Sequence, residues 1–86
     1  MYRNNPVHVR MIFPLSGKEY ECALDPSVSF RENLKVLYDL EKEELSHHIA
    51  LNSETRVYEE KSRQNCDMDV SLKSLRVRDG MVFRVY

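Results

Sequence analysis

The 86-residue sequence is short of several residue types, and each shortage narrows what the protein can be. Two cysteines cannot build the disulfide framework of a small secreted domain, which indicates free thiols in a reducing compartment. Trp is absent, and 13 Lys plus Arg nearly balance 14 Asp plus Glu, so the basic composition of a nucleic-acid-binding domain is missing. No apolar run approaches the length of a membrane span, and residues 1–6 lack the apolar core of a signal peptide. We therefore expect a cytoplasmic protein that is not inserted in a membrane and binds no nucleic acid.

The length predicts a single domain, since domains usually run to roughly 100–200 residues. We expect a flexible polar arm over residues 1–6 and one domain over residues 7–86. A chain of this size hides about 60–65% of its surface on folding, which leaves little interior for an enclosed cleft. The sequence shows no base placed beside a nucleophile, so we predict that the protein is not an enzyme and uses no cofactor.

Alternating apolar residues predict a β-hairpin at the start of the domain. Every second residue from Val7 to Phe13 is apolar, and the same alternation resumes from Tyr20 to Leu24. A period of two is typical of a half-buried strand. Gly17, in the turn between the two segments, tolerates the positive φ that such turns require.

A helix is predicted from about Phe30 to Leu40. Ser29 and Glu32 have the spacing of a capping box, in which the Ser hydroxyl accepts from the amide three residues later. Apolar residues then recur at helical spacing and form one stripe, which comprises Phe30, Leu34, Leu37 and Leu40. The acidic residues from Glu41 to Glu44 either fray the helix end or begin the next loop.

The second half of the sequence is less regular. His48–Leu51 is predicted to be a short strand, with its return strand at Thr55–Tyr58 and a polar loop over residues 59–69. Ser71–Val77 is expected to hold a single helical turn, with Leu72 and Val77 in the core. A turn at Arg78–Gly80 then precedes a closing strand with apolar residues at every second position.

One amphipathic helix needs one apolar sheet face to cover, which predicts an α+β fold in two layers. The first and last strands have the most apolar alternation. We therefore expect them to lie side by side and parallel at the centre of a mixed sheet of four to five strands.

Several segments together resemble ubiquitin. Leu15–Lys18 with the return strand, and Asp25–Ser27 before the Ser-capped helix, resemble its N-terminal half. Ser71–Ser74 and Val77–Gly80 before the closing strand resemble the end of ubiquitin-like domains. The resemblance spans about Val7 to Tyr86 and implies a β-grasp fold.

The departures from ubiquitin imply a protein that is not conjugated to others. Conjugated relatives and sulfur carriers end in Gly-Gly beyond the last strand, whereas the only glycines here are Gly17 and Gly80. Iron–sulfur β-grasp proteins need four Cys ligands, and this sequence has two. In length and in ending on the last strand, the sequence is similar to the YukD-like accessory proteins of type VII secretion. That resemblance implies an accessory or regulatory component of a larger machine.

The resemblance also implies a partner-binding surface on the exposed face of the sheet. Leu15, Ala50, Arg84 and Tyr86 match the apolar patch with which ubiquitin recruits partners, although Ala50 and Arg84 differ from ubiquitin in residue type. Large aromatic and Arg side chains are common interface anchors, which adds the neighbouring His48 and Tyr58. We predict a protein partner bound by Leu15, His48, Ala50, Tyr58, Arg84 and Tyr86. The alternative is that these are ordinary solvated strand positions.

The charges are unevenly placed along the chain. Residues 29–54 have three basic and six acidic residues, a net charge of −3, whereas residues 55–86 have seven and five, a net charge of +2. This asymmetry is consistent with a solvated surface or with weak head-to-tail self-association in a homo-oligomeric module. A ubiquitin-like adaptor of a eukaryotic pathway is a further alternative. No aromatic residues are interleaved with the basic ones in the way that a nucleic-acid surface requires.

No metal site is predicted. Adjacent residues on a strand point to opposite faces, so His47 and His48 would not chelate one ion together. Cys22 is expected in the core, whereas Cys66 lies in the polar loop as a candidate reactive thiol. No Cys-His-Asp spacing makes Cys66 a nucleophile.

Overall fold

The computed structural model describes residues 5–45, 47 and 51–86. The strands are β1 (Val7–Phe13), β2 (Lys18–Leu24), β3 (Val57–Glu59), β4 (Gln64–Asn65) and β5 (Val82–Val85), and the helices are α1 (Phe30–Leu40) and α2 (Lys42–Leu45). The strands form one sheet in the order β2-β1-β5-β3-β4. Of the predicted arm over residues 1–6, only Asn5 and Pro6 lie within the described residues.

The predicted hairpin is confirmed. β1 and β2 pair antiparallel, with Met11 opposite Tyr20. The turn closes where the Gly17 N–H donates to the Phe13 carbonyl oxygen over 2.9 Å, and Gly17 has a φ of 74°. The alternate apolar residues of β1, which are Val7, Val9, Met11 and Phe13, are all buried.

The predicted helix bounds are also confirmed, and Ser29 caps α1 by accepting from the Glu32 amide over 3.1 Å. The inclusion of Leu40 in the buried stripe is wrong, because its side chain is 74% exposed. Ten residues after Phe30, Leu40 is rotated about 80° around the helix axis, which places it on the flank. The acidic stretch after α1 forms the short helix α2.

The pairing predicted for the second half is wrong. β3 lies between β5 and β4 and is antiparallel to both, so Val57–Glu59 has no free side for a strand at residues 48–51. Residues 48–50 lie outside the described residues, and Leu51 is in no strand. The predicted loop over residues 59–69 contains β4, which Arg63 makes possible by turning the chain with a φ of 57°.

The last part of the chain folds as the sequence predicts. One helical turn forms where the Leu75 N–H donates to the Ser71 carbonyl oxygen over 3.1 Å. Leu72 is fully buried, and Val77 is half-buried against the core. β5 lies parallel to β1 at the centre of the sheet, which confirms the predicted arrangement.

The core lies between α1 and the inner face of the sheet, so the predicted α+β class is confirmed. The Phe30 ring meets the Phe83 ring edge to face, with centroids 5.0 Å apart. This is the arrangement that aromatic pairs prefer. Because α1 covers the inner face, the side chains at alternate strand positions project from the opposite, outer face.

Candidate functional site

The outer face of the sheet carries a continuous row of side chains across all five strands. Strand register places Ile12 beside Glu19 and Arg84, Arg84 beside Tyr58, and Tyr58 beside Asn65. Directly opposed residues on one face are close enough for their side chains to interact. The fold therefore assembles a surface from residues as distant in sequence as Ile12 and Arg84.

One end of this row opens into a shallow concave surface of about 610 Å³, which we call the sheet-face site. The β1–β2 turn, β3, the β3–β4 turn and the end of β5 contribute to it. Its lining residues are Pro14, Leu15, Tyr58, Glu60, Arg63, Arg84 and Tyr86.

Four of the six predicted partner-binding residues come together in the sheet-face site, namely Leu15, Tyr58, Arg84 and Tyr86. Leu15 is 85% exposed and Tyr86 is 48% exposed, which are high values for large apolar side chains. The other two, His48 and Ala50, lie outside the described residues.

An ion pair fixes the Arg84 side chain. Its Nε and Nη2 donate to the two carboxylate oxygens of Glu60 over 2.6 and 3.1 Å, the bidentate arrangement that suits a guanidinium. The hydrogen bond to Glu60 raises the pKa of Arg84, so the guanidinium stays charged. Tyr86 is oriented similarly, since its hydroxyl donates to Oδ1 of Asn65 over 2.9 Å.

Pro14, Glu60 and Arg63 line the site, and Asn65 supports Tyr86 from beside it, but none of these four residues is predicted from the sequence. The sequence gives one indication for Glu60, because it follows Tyr58 by two positions and strand side chains two positions apart project from the same face. Its contact with Arg84 depends on the register between β3 and β5, for which the sequence gives no local sign.

Two other arginines near the sheet have contacts outside this site. Arg10 lies within 3.8 Å of Glu21, towards the β2 side of the sheet. Arg56 Nη1 donates to the carbonyl oxygens of Ser53 and Thr55 over 3.2 and 3.1 Å. The arginines that line the sheet-face site are therefore Arg63 and Arg84.

The two cysteines do not have the environment of reactive thiols. Both are free and half-buried, and Cys66 packs against the core while its N–H donates to the Val57 carbonyl oxygen over 2.7 Å. Burial raises the pKa of Cys22, and burial assisted by the nearby Glu59 raises the pKa of Cys66 to about 11. The raised pKa disfavours the thiolate form of Cys66, whereas a nucleophilic thiol needs a lowered pKa.

In the part of the chain that the structure describes, no cluster of three or more His, Cys, Asp or Glu side chains is arranged to hold a metal ion. The helices in the same part are each too short or too polar to cross a membrane.

The architecture is similar to that of solved structures. One is the solution NMR structure of the ubiquitin-like domain of an Arabidopsis thaliana protein, which superposes with a TM-score of 0.71. The match covers 100% of this chain and 81% of that chain at 14% sequence identity. The fold is ubiquitin-like. The predicted β-grasp fold is thus confirmed.

No protein-family model matches the chain, and no curated protein matches its sequence. At 14% identity, the likeness to the Arabidopsis domain establishes the ubiquitin-like fold alone. Any function must therefore be argued from the surfaces of this chain.

Proposed function

We propose that the chain is a non-enzymatic protein-interaction module that binds a partner protein through the sheet-face site. The observation that carries this proposal is the convergence of Leu15, Tyr58, Arg84 and Tyr86 on one concave surface of the outer sheet face. Tyr and Arg are among the residue types most enriched in the anchors of protein interfaces.

The site suits a protein surface better than a small molecule. It is shallow and open, whereas small-molecule sites are clefts that enclose most of their ligand. Leu15 projects from the β1–β2 turn and is not part of the core, so burying it against a partner would gain about 1.5–3 kcal/mol. Glu60 and Asn65 hold Arg84 and Tyr86 in place, which lowers the entropy cost of binding.

A pair of double variants tests this proposal. Leu15→Ser with Arg84→Ala removes one exposed apolar side chain and one ion-paired arginine from the site. Val36→Ser with Arg31→Ala makes the same two changes elsewhere, since Val36 is 54% exposed and Arg31 is paired with Asp69 over 2.8 Å.

Quantitative affinity capture from a lysate of the source organism, followed by calorimetry with the purified partner, measures binding for each protein. We expect the first variant to weaken binding at least about tenfold, because truncated interface anchors commonly cost 2 kcal/mol or more, and the second to bind normally. Equal binding by both variants, with unchanged thermal melts, would remove this face from consideration.

The finer proposal is that the module is a cytosolic accessory component of a type VII secretion-like machine. Its support is the sequence resemblance to YukD-like proteins. If the captured partner is not a component of a membrane secretion machine, that placement is wrong while the sheet-face site stands.

A further inference from the structure

The hydrogen bonds of β1 show which main-chain groups of the neighbouring strand β2 point away from the described sheet. The Arg10 N–H donates to the Met81 carbonyl oxygen over 3.0 Å, and the His8 carbonyl oxygen accepts from Gly80 over 2.9 Å. The main-chain groups of His8 and Arg10 therefore face β5. Because successive residues of a strand turn these groups to opposite sides, those of Val9 and its alternate neighbours face β2.

The register then identifies which residues of β2 face outward. Arg10 opposes Glu21 and His8 opposes Ala23, so Glu21 and Ala23 make no main-chain hydrogen bonds to β1. Glu19 lies two residues before Glu21, so its main-chain groups face the same way. Among the described strands β2 is the outermost on this side of the sheet. Three N–H groups and three carbonyl oxygens thus form an open edge that can accept another strand.

An apolar groove lies directly beneath this edge, between β2 and α1, with a volume of about 370 Å³. We call it the β2–α1 groove. Its apolar lining includes Tyr20, Cys22, Leu34, Leu37, Tyr38 and Leu51. A strand added to the edge would direct every second side chain into this groove, because its residues alternate between the two faces.

The charge around the groove is acidic. Glu41 and Glu44, on the helix side, are among the lining residues, and no Lys or Arg is among them. The Tyr20 hydroxyl donates to Oε1 of Glu44 over 2.7 Å, which raises the pKa of Tyr20 to about 12. Glu19 and Glu21 project from the outer face of β2, where both would be cross-strand neighbours of an added strand and Glu21 also lies 3.8 Å from Arg10 of β1.

We propose that β2 and the β2–α1 groove bind an extended basic segment of another protein by strand addition. Apolar side chains at alternate positions enter the groove, and Lys or Arg between them face Glu19 and Glu21. Main-chain hydrogen bonds to an exposed edge with pockets for alternate side chains are the basis of this kind of peptide recognition. The sheet-face site is on the opposite face of the sheet, so this is a second binding surface that goes beyond the proposed function.

The probe is a capped heptapeptide of alternating Lys and Val, titrated into the ¹⁵N-labelled chain and followed by NMR. We expect saturable shifts of the Glu19, Glu21 and Ala23 amides, and slower hydrogen exchange at the same three positions. A peptide with Glu in place of Lys should bind at least about tenfold more weakly, with the difference shrinking in high salt.

Two variants separate charge from strand pairing. Glu19→Lys with Glu21→Lys should weaken binding by about tenfold or more, whereas Asp39→Lys with Glu54→Lys makes the same change in net charge away from the groove and should have little effect. Glu21→Pro removes an outward N–H without removing a bond to β1, and edge strands tolerate Pro. In this variant the peptide should no longer slow the hydrogen exchange of the Ala23 amide.

The result that overturns the proposal is an absence of shifts in β2 at millimolar peptide, or binding that the charge reversal on β2 leaves unchanged. Should Glu21→Pro fail to fold, the charge-reversal variant still decides. The sheet-face variant, Leu15→Ser with Arg84→Ala, is expected to bind the peptide normally. The experiments therefore distinguish failure of the proposed strand addition at β2 from failure of the proposed binding at the sheet-face site.

Discussion

Replacement of Asn33 by Ala should strongly destabilise the fold. Asn33 is a buried polar residue on α1, with 6% of its surface exposed. Its Oδ1 accepts from the Asp25 N–H over 2.8 Å, and its Nδ2 donates to the carbonyl oxygens of Asp25 and Ser29 over 3.0 and 2.9 Å. One side chain thus joins the residue after β2 to the first turn of α1.

The magnitude follows from these three hydrogen bonds. Each contributes about 1 kcal/mol net, and a buried group left without a partner costs about 1–3 kcal/mol. Water reaches part of the half-buried Asp25, so we expect a loss of about 2–3 kcal/mol in the free energy of unfolding. The total free energy of unfolding of a domain of this length is roughly 4–13 kcal/mol. The loss should lower Tm by about 10–20 °C.

Urea unfolding followed by circular dichroism measures this loss. The control is Asn52→Ala, because the Asn52 side chain is exposed and accepts one bond from the Glu54 N–H over 2.8 Å. The control should change the free energy of unfolding by about 0.5 kcal/mol or less. A loss below about 1 kcal/mol for Asn33→Ala, or one equal to that of the control, would refute the reasoning.

Two further predictions concern titratable groups. At pH 8 about one thousandth of Cys66 is thiolate, against about a quarter of an unperturbed thiol, so a disulfide reagent should modify it slowly in a Cys22→Ser variant. A rate equal to that of free cysteine in the folded protein would contradict this. The hydrogen bond from Arg31 lowers the pKa of Asp69, so this carboxylate stabilises the fold above its unfolded pKa of about 4 and loses that effect as the pH falls further. Asp69→Asn should therefore reduce the fall in urea midpoint between pH 5 and pH 3, and an unchanged fall would exclude the ion pair as its cause.

Local signals in the sequence were enough to predict much of the fold. The alternation from Val7 to Phe13 gives a period of two because the inner face of β1 is buried and the outer face is not. Ser29 is a local signal too, since the group that it caps lies three residues away at Glu32. The central parallel pair was predictable because β1 and β5 have a regular alternation of buried and more exposed side chains.

Features that depend on distant partners could not be predicted in the same way. β4 follows a left-handed Arg63, and Arg does not signal that conformation as Gly would. Asn33 interrupts an apolar face, and its role is visible only once Asp25 lies against α1. Strand register brings Glu60 and Asn65 into contact with Arg84 and Tyr86. The candidate site was therefore predictable in its exposed anchors but not in the groups that hold them.

The two open edges of the described sheet differ in what they offer to another chain. β4 has two residues, Gln64 and Asn65, and Asn65 already accepts from the Tyr86 hydroxyl. β2 has seven residues, of which three turn their main-chain groups outward above an apolar groove. Strand addition therefore favours β2.

β2 and β3 are three strand spacings apart, about 14 Å. A segment bound at β2 would direct its apolar side chains to the helix side of the sheet, away from the sheet-face site. The two proposed surfaces therefore place their apolar contacts on opposite faces of the sheet.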